Sequence, residues 1–188
     1  MAKIFLDSNI LIDFLVEERG ALNLAAVKLF ENFSVDDTVC YSFGSISDVA
    51  YVLKKCYKIS DEIILDFFGA LSRTSNFKCL PLSNDGLLLA CEYAKSELKS
   101  GRKIDFEDIL QYFCALEGGY EVIDTNDKTF PRLQIALKRT DANLSDYAPK
   151  QKIKRTRKWQ KKTSICTIST TWIWSARSSR LSSIARII

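Results

Sequence analysis

Four aspartates, far apart in the chain, have the residue type and the positions that catalysis or metal binding would need. Each follows a candidate strand or lies near the start of a candidate helix: Asp7 in KIFLD, Asp48 in SISDVAYVL, Asp108 in DFEDILQYF and Asp127 in IDTNDKTF. Ligands of parallel α/β sheets bind beyond the carboxyl ends of the strands. A parallel sheet would therefore bring the four carboxylates to one edge.

The residue types that are missing restrict the chemistry further. The chain contains no histidine, which excludes Ser–His and Cys–His catalysis, imidazole acid–base chemistry and His-ligated zinc. The six cysteines form no CxxC pair and lie within apolar patterns, so we expect buried free thiols rather than disulfides or zinc ligands. Carboxylates remain to carry the chemistry.

Converging carboxylates without nearby bases repel one another, and a divalent cation is the simplest way to relieve that repulsion. A site made only of hard oxygen ligands suits Mg²⁺ or Mn²⁺. Such an ion can hold a phosphodiester, lower the pKa of a bound water and stabilise the leaving oxygen. A ligand role for Asp7 would also explain why a buried strand ends in a carboxylate.

Taken singly, each acid also has an ordinary structural explanation. Asp7 is in a position to be a simple helix N-cap. Asp48 and Asp108 fit solvated helix positions, and Asp127 fits a turn. It is the set, rather than any one member, that indicates a site.

The elements that must position these residues follow from the apolar pattern. Four strand candidates, KIFLD, TVCYS, NFKCLPL and EVIDT, alternate with segments whose apolar residues recur at helical spacing. This alternation predicts an α/β fold with a parallel sheet and helices on its faces.

Charge divides the chain into an acidic part and a basic tail. Of 27 basic residues, ten lie in residues 151–188, which contain no acid, leaving 17 against 23 acidic residues before them. The tail fits either an aromatic, basic arm for nucleic acid or a disordered or foreign extension without an evolved role. We place the domain at residues 1–135 and the linker and tail at 136–188. The chain has neither a secretory signal nor an apolar run of roughly 18 residues, so we expect a cytoplasmic protein without a membrane span.

The ordered acidic segments resemble a PIN domain. FLDSNILIDFL is similar to that family's opening, YSFGSISDVAYVLKK to its second acidic segment, and DFEDILQYFCALEGGYEVIDTNDKTF to its third and fourth, over about residues 3–133. The resemblance implies a three-layer α/β/α sandwich around a central parallel sheet and a Mg²⁺- or Mn²⁺-dependent ribonuclease that cleaves single-stranded RNA. In bacteria such proteins are commonly VapC-like toxins, neutralised by a small antitoxin and often homodimeric.

Carried onto this chain, the resemblance assigns catalysis and metal binding to Asp7, Asp48, Asp108 and Asp127. Many members have Glu where Asp48 stands, and the fourth position varies, so Asp124 competes with Asp127 for it. The side chains expected to support the ligands are Ser8, Asn9, Ser45, Asp105 and Thr125.

Two other functions are compatible with the same residues. One is a non-catalytic PIN module that binds RNA or a protein partner. The other is a phosphate-transferring enzyme of the haloacid dehalogenase type, which also has a strand ending in Asp. That class needs a second Asp two residues later, where this chain has Asn9.

Overall fold

Five parallel strands form a single sheet in the computed structural model, which describes residues 2–140. The strands are β1 (Lys3–Leu6), β2 (Thr38–Ser42), β3 (Phe77–Leu80), β4 (Val122–Asp124) and β5 (Ala136–Lys138), in the spatial order β3-β2-β1-β4-β5. From β1 the chain moves first to β2 and β3 on one side and later to β4 and β5 on the other. The order therefore reverses between β1 and β4, and such a reversal opens a crevice at the carboxyl edge.

Helices cover both faces of the sheet and complete the predicted α/β/α sandwich. They are α1 (Ser8–Leu15), α2 (Ala21–Glu31), α3 (Phe43–Tyr57), α4 (Asp61–Arg73), α5 (Asn84–Lys99) and α6 (Phe106–Glu117), with a 3₁₀ turn at Glu17–Arg19. On one face, Phe5 and Ile123 pack with residues of α5 and α6. On the other, Phe77 packs against Phe30 of α2 and Tyr41 against Phe68 of α4. No helix in this described part has the length and apolar character needed to cross a bilayer.

Three of these helices begin at the carboxyl edge of the sheet with a capping side chain. Asp7 accepts a hydrogen bond from the backbone N–H of Asn9 at the start of α1. Ser42 caps α3, and Asp105 caps α6. Such caps satisfy backbone N–H groups that have no partner within the helix. As a result, the first turns of α1, α3 and α6 are held where the strands end.

The edge strand β5 is an element that the sequence pattern does not indicate. It is three residues long with one half-buried residue between two exposed ones, which is too short for a periodic signal. It pairs with β4 through the register Ile123 to Leu137, immediately after the predicted domain end at residue 135. The basic tail, from residue 141 onward, lies outside the described residues.

The cysteines are free thiols wherever the structure describes them, but their burial is mixed. Cys40 and Cys114 are buried as expected. The expectation of burial is wrong for Cys56 and Cys79, which are exposed. Cys56 lies in the last turn of α3, and Cys79 lies on β3, which is an edge strand of the sheet.

A cluster of phenylalanines fastens α2 to the sheet. Phe30, which is 3% exposed, stacks on Phe14 at 4.2 Å between ring centroids and on Phe77 of β3 at 5.7 Å. Its ring also meets the edge of Phe33 at 5.6 Å. This one side chain therefore joins α1, α2 and β3.

Replacing Phe30 by alanine should lower the free energy of unfolding by about 3–5 kcal/mol, because it removes a buried aromatic ring and leaves a cavity. Leu24→Ala on the same helix is the control. That leucine is 64% exposed, so its loss should change stability by no more than about 0.5 kcal/mol. Urea denaturation of both variants tests this, and equal losses would contradict the packing described here.

Candidate active site

Asp7 occupies the crevice where the strand order reverses, directly after β1. Its side chain is fully buried. One carboxylate oxygen accepts from the Thr125 hydroxyl at 2.7 Å and from the Asn9 amide at 3.1 Å, and the other accepts from the Ser8 hydroxyl at 3.2 Å. Burial raises the pKa of Asp7, hydrogen bonds from Thr125 and Asn9 oppose that rise, and the charge of Asp127 adds to it.

Backbone hydrogen bonds fix the two sides of this crevice to each other. The Asp7 N–H donates to the Asp124 carbonyl at 3.0 Å, and the Thr125 N–H donates to the Lys138 carbonyl at 2.9 Å. Asp7 and Thr125 are thus the first residues after β1 and β4, and the ends of these strands are hydrogen-bonded. Their side-chain contact is set by the sheet rather than by a flexible loop.

Asp48 approaches the same edge from α3. It is half-buried near the start of that helix. Burial raises its pKa to about 6, and repulsion from Glu107, Asp7 and Asp105 contributes to the rise. The structure therefore brings Asp48 within electrostatic reach of Asp7 and of the start of α6.

Asp108 and Asp127 lie on two further elements. Asp108 is buried in the first turn of α6, next to Glu107. Asp127 is half-buried after β4, and its backbone N–H donates to the Thr125 hydroxyl at 3.0 Å. One oxygen of Asp127 also accepts from the backbone and hydroxyl of Thr129 at 2.8 and 2.7 Å, the pattern of an ordinary Asx turn. The charge of Asp127 nevertheless acts on Asp7.

Asp124, the rival for the fourth position, has a different environment. It is 1% exposed, and neither carboxylate oxygen has a hydrogen-bond partner among the described residues. Burial raises its pKa to about 6, and the charge of Lys138 opposes the rise. The charge of Asp127 acts on Asp7, which supports Asp127 as the fourth member of the acidic set. The choice between Asp127 and Asp124 stays a prediction.

The side chains predicted to support the ligands divide into two groups. Ser8, Asn9 and Thr125 contact Asp7 directly. Ser45 contacts no carboxylate, because its hydroxyl bonds to Ser42 and to a glutamine instead. Asp105 is an exposed cap of α6 whose charge acts on Asp48.

Gln111 is a central residue that sequence reasoning missed. It is 2% exposed, and its amide oxygen accepts from the Ser8 N–H at 3.1 Å and from the Ser45 hydroxyl at 3.2 Å. Its amide nitrogen donates to the Ser8 hydroxyl at 3.3 Å. One side chain of α6 thereby joins the starts of α1 and α3. The available signal was a polar residue three positions after Asp108 in an otherwise apolar run, ILQYFCAL.

A second buried network, also missed, supports the segment after β4. Asp13 of α1 is fully buried, forms an ion pair with Arg19 and accepts from the Asn126 amide at 2.8 Å. The Asn126 carbonyl oxygen accepts from the backbone and hydroxyl of Thr140 at 3.3 and 3.1 Å. Asn126 lies between Thr125 and Asp127, so this network holds the segment that carries both.

The acidic side chains match a hard divalent cation in chemistry but are not already assembled around one. Within residues 2–140, no three acidic or sulfur-bearing side chains are grouped closely enough to hold an ion. The pKa values of Asp7 and Asp48 are both raised by burial and by neighbouring carboxylates. A cation between them would offset both effects, and oxygen donors are those that Mg²⁺ and Mn²⁺ prefer. The chemistry of the donor set therefore fits such an ion, although the described side chains are not grouped around one.

Asp124→Asn should raise the free energy of unfolding above that of the wild type, and this gain should be larger at pH 8 than at pH 4. The folded-state pKa of about 6 lies above the ordinary 3.8, so the folded form keeps a proton that the unfolded chain loses. Wild-type stability therefore falls as the pH rises from about 4 to 6, by up to about 3 kcal/mol, and the asparagine removes that loss.

Urea denaturation in EDTA at both pH values measures this difference, with Asp36→Asn, an exposed loop acid, as the control. An Asp124→Asn effect of the same size at pH 4 and pH 8 would show that the buried charge is not its origin.

Gln111→Met should lower the free energy of unfolding by about 2 kcal/mol, because it leaves the buried Ser8 N–H without its acceptor. The matched control is Gln134→Met, since that glutamine is exposed. Thermal and urea unfolding of both variants provide the measurement, and a Gln111 variant as stable as the control would refute the cross-linking role.

Comparison with known proteins identifies the family. The model of the PIN domain family matches residues 4–136. A search of curated proteins gave no significant match.

Solved structures share the fold at low sequence identity. VapC20 of Mycobacterium tuberculosis, reported as a toxin that cleaves the sarcin–ricin loop, superimposes with a TM-score of 0.56 at 15% identity, over 68% of this chain and 92% of that one. VapBC2 of Rickettsia felis, solved on a promoter DNA fragment, gives 0.54 at 20% identity over 74% and 99%. FitAcB of Neisseria gonorrhoeae gives 0.55 at 15% identity over 73% and 97%. With the family match spanning most of its length, this chain belongs to the PIN domain family.

Proposed function

We propose that this protein is a metal-dependent endoribonuclease that hydrolyses phosphodiester bonds of single-stranded RNA. The observation that carries the proposal is a fully buried carboxylate, Asp7, in the crevice between β1 and β4. Burial raises the pKa of Asp7 and of Asp48, and neighbouring carboxylates add to both rises. Such an arrangement is costly unless a cation or a substrate group balances it.

Asp7, Asp48, Asp108 and Asp127 are the residues that would hold Mg²⁺ or Mn²⁺. When bound, such a cation neutralises phosphate charge and promotes ionisation of the attacking water. Thr125, Asn9 and Ser8 donate to Asp7 and keep its carboxylate in a fixed orientation.

Asp48 links cation binding to proton release. With a pKa of about 6, part of its population is protonated near neutral pH. A cation competes with that proton for the carboxylate oxygen. The chain contains no histidine, so imidazole takes no part in the proton transfers, and carboxylates and water are the groups that we propose for them.

The biological setting that we propose is a toxin–antitoxin pair in the cytoplasm. Several of the solved relatives are VapBC proteins, and VapC20 is described as an RNA-cleaving toxin. By analogy, this chain would be the nuclease of such a pair, possess a small antitoxin partner and form a homodimer.

A non-catalytic PIN module that binds RNA or a protein is the second candidate. It is favoured by the absence, within the described residues, of three ligands already grouped for a metal. Cleavage assays with and without EDTA separate the two functions, because only an enzyme yields EDTA-sensitive products.

Asp7→Asn should reduce RNA cleavage by at least about 100-fold, because it replaces a charged ligand at the centre of the acidic set by a neutral amide. Product formation from a single-stranded RNA in Mg²⁺ or Mn²⁺ measures this. Wild-type protein should also unfold at a higher temperature in Mn²⁺, since a ligand of the folded form stabilises it, and the variant should lose most of that increase.

The control is Asp36→Asn, which removes an exposed carboxylate from a loop and should change neither cleavage nor the response to Mn²⁺. Circular dichroism establishes that the Asp7 variant is folded. Wild-type cleavage by a folded Asp7→Asn protein would eliminate the mechanism.

A further inference from the structure

A cavity of about 340 Å³ lies beside the acidic edge, on the β5 side. Its lining includes Thr125 and Asp127 of the candidate site together with three basic side chains, Arg132, Lys138 and Arg139. Arg132 and Lys138 are exposed and Arg139 is half-buried, so this open cavity places positive charge beside the carboxylates of the candidate site. A ligand that carries negative charge is attracted to such a lining.

The segment that forms the cavity differs in charge from the rest of the domain. The first 150 residues contain 17 basic and 23 acidic residues, so the domain as a whole repels a polyanion. From Lys128 to Arg139, however, the chain carries four basic residues and no acid. A nucleic acid that approaches the acidic edge therefore meets attractive charges on the side of the edge that this segment forms.

The wall of the cavity is anchored to the helix that carries Asp108. The hydroxyl of the fully buried Tyr112 of α6 accepts from the backbone N–H groups of Gln134 and Ile135 at 2.8 and 3.0 Å. On the other side, the Lys138 carbonyl accepts from the Thr125 N–H at 2.9 Å. The basic side chains thus extend from backbone that is fixed relative to the acids.

The rest of the lining is apolar. Leu133, Ile135 and Leu137 contribute aliphatic surface next to the basic groups. A ligand that matches both parts has an anionic group and a flat, weakly polar body. The volume is at the small end of the range for ligand sites, which suits one unpaired nucleotide.

We propose that this Arg132–Lys138–Arg139 cavity binds one nucleotide of single-stranded RNA adjacent to the scissile bond, with its phosphate on the basic side chains and its base against the aliphatic ones. The inference rests on the proposed nuclease function and names the part of the substrate that this side of the site receives. It also supplies the attraction that the acidic edge itself lacks.

The test compares two full-length triple variants that lose the same charge. Arg132→Gln/Lys138→Gln/Arg139→Gln removes the cavity cations, and Lys28→Gln/Lys55→Gln/Lys95→Gln removes three exposed lysines from α2, α3 and α5 that do not line the cavity. Both retain residues 141–188, so any RNA binding by the basic tail is common to them. Circular dichroism and thermal unfolding establish that each is folded.

Binding of a short fluorescein-labelled single-stranded RNA is measured by anisotropy in EDTA, where cleavage does not contribute. We expect Kd to rise at least about tenfold for the cavity variant relative to the control variant. The slope of log K against log salt should become shallower by about 0.7 for each RNA phosphate that the protein no longer neutralises. In Mg²⁺ or Mn²⁺, kcat/KM for RNA cleavage should fall by a similar factor.

Equal RNA affinities for the two triple variants would overturn the inference. This result is expected if the basic groups bind an acidic segment of a protein partner instead of RNA. If the cavity substitutions weakened the binding of duplex RNA as much as that of single-stranded RNA, the assignment of the cavity to single-stranded RNA would be overturned. If the triple variant does not fold, Arg132→Gln alone replaces it, with an expected loss of about threefold in affinity against Lys28→Gln. Wild-type protein that binds RNA through the cavity but yields no metal-dependent products would refute the nuclease function and leave the binding site standing.

Discussion

The arrangement of this protein depends on one buried carboxylate. Asp7 is fully removed from solvent at the point where the strand order reverses, and an ionised group in that position is costly without compensation. Hydroxyl and amide donors from Thr125, Asn9 and Ser8 provide part of that compensation. Because Thr125 comes from a strand more than a hundred residues away, satisfying Asp7 requires the correct pairing of β1 with β4.

The helices that bring the other acids are joined to this centre by neutral polar groups. Gln111 connects α6 with the starts of α1 and α3, and Asn126 connects the segment after β4 with Asp13 in α1. Each contact is buried, where hydrogen bonds are strong and an unpaired group is expensive. The relative positions of Asp7, Asp48 and Asp108 therefore depend on packed helix starts rather than on loops.

The apolar pattern was sufficient to predict the parallel α/β fold, and the resemblance to a PIN domain implied the three-layer sandwich. The assignment of the four acids to one site stays a prediction. FLDSN and DFEDILQYF indicated both the elements and their polar ends. The three-residue strand β5 left no such pattern, and the roles of Gln111 and Asp13 depend on contacts between distant segments that spacing does not encode. Asp127 was expected in the fourth position with Asp124 as its rival, and spacing alone does not decide between two acids three residues apart. Cys56 and Cys79 were assigned to the interior because their neighbours are apolar, although both are exposed.

The amide at position 111 allows the geometry of this edge to be set independently of its charge. An amide presents an acceptor oxygen and a donor nitrogen at a fixed separation, so Gln111 can join α6 to the starts of α1 and α3 without adding a negative charge. Carboxylates of different length could then replace one another at the neighbouring acidic positions during evolution. Cation preference would change while the framework that spaces the helices stayed the same.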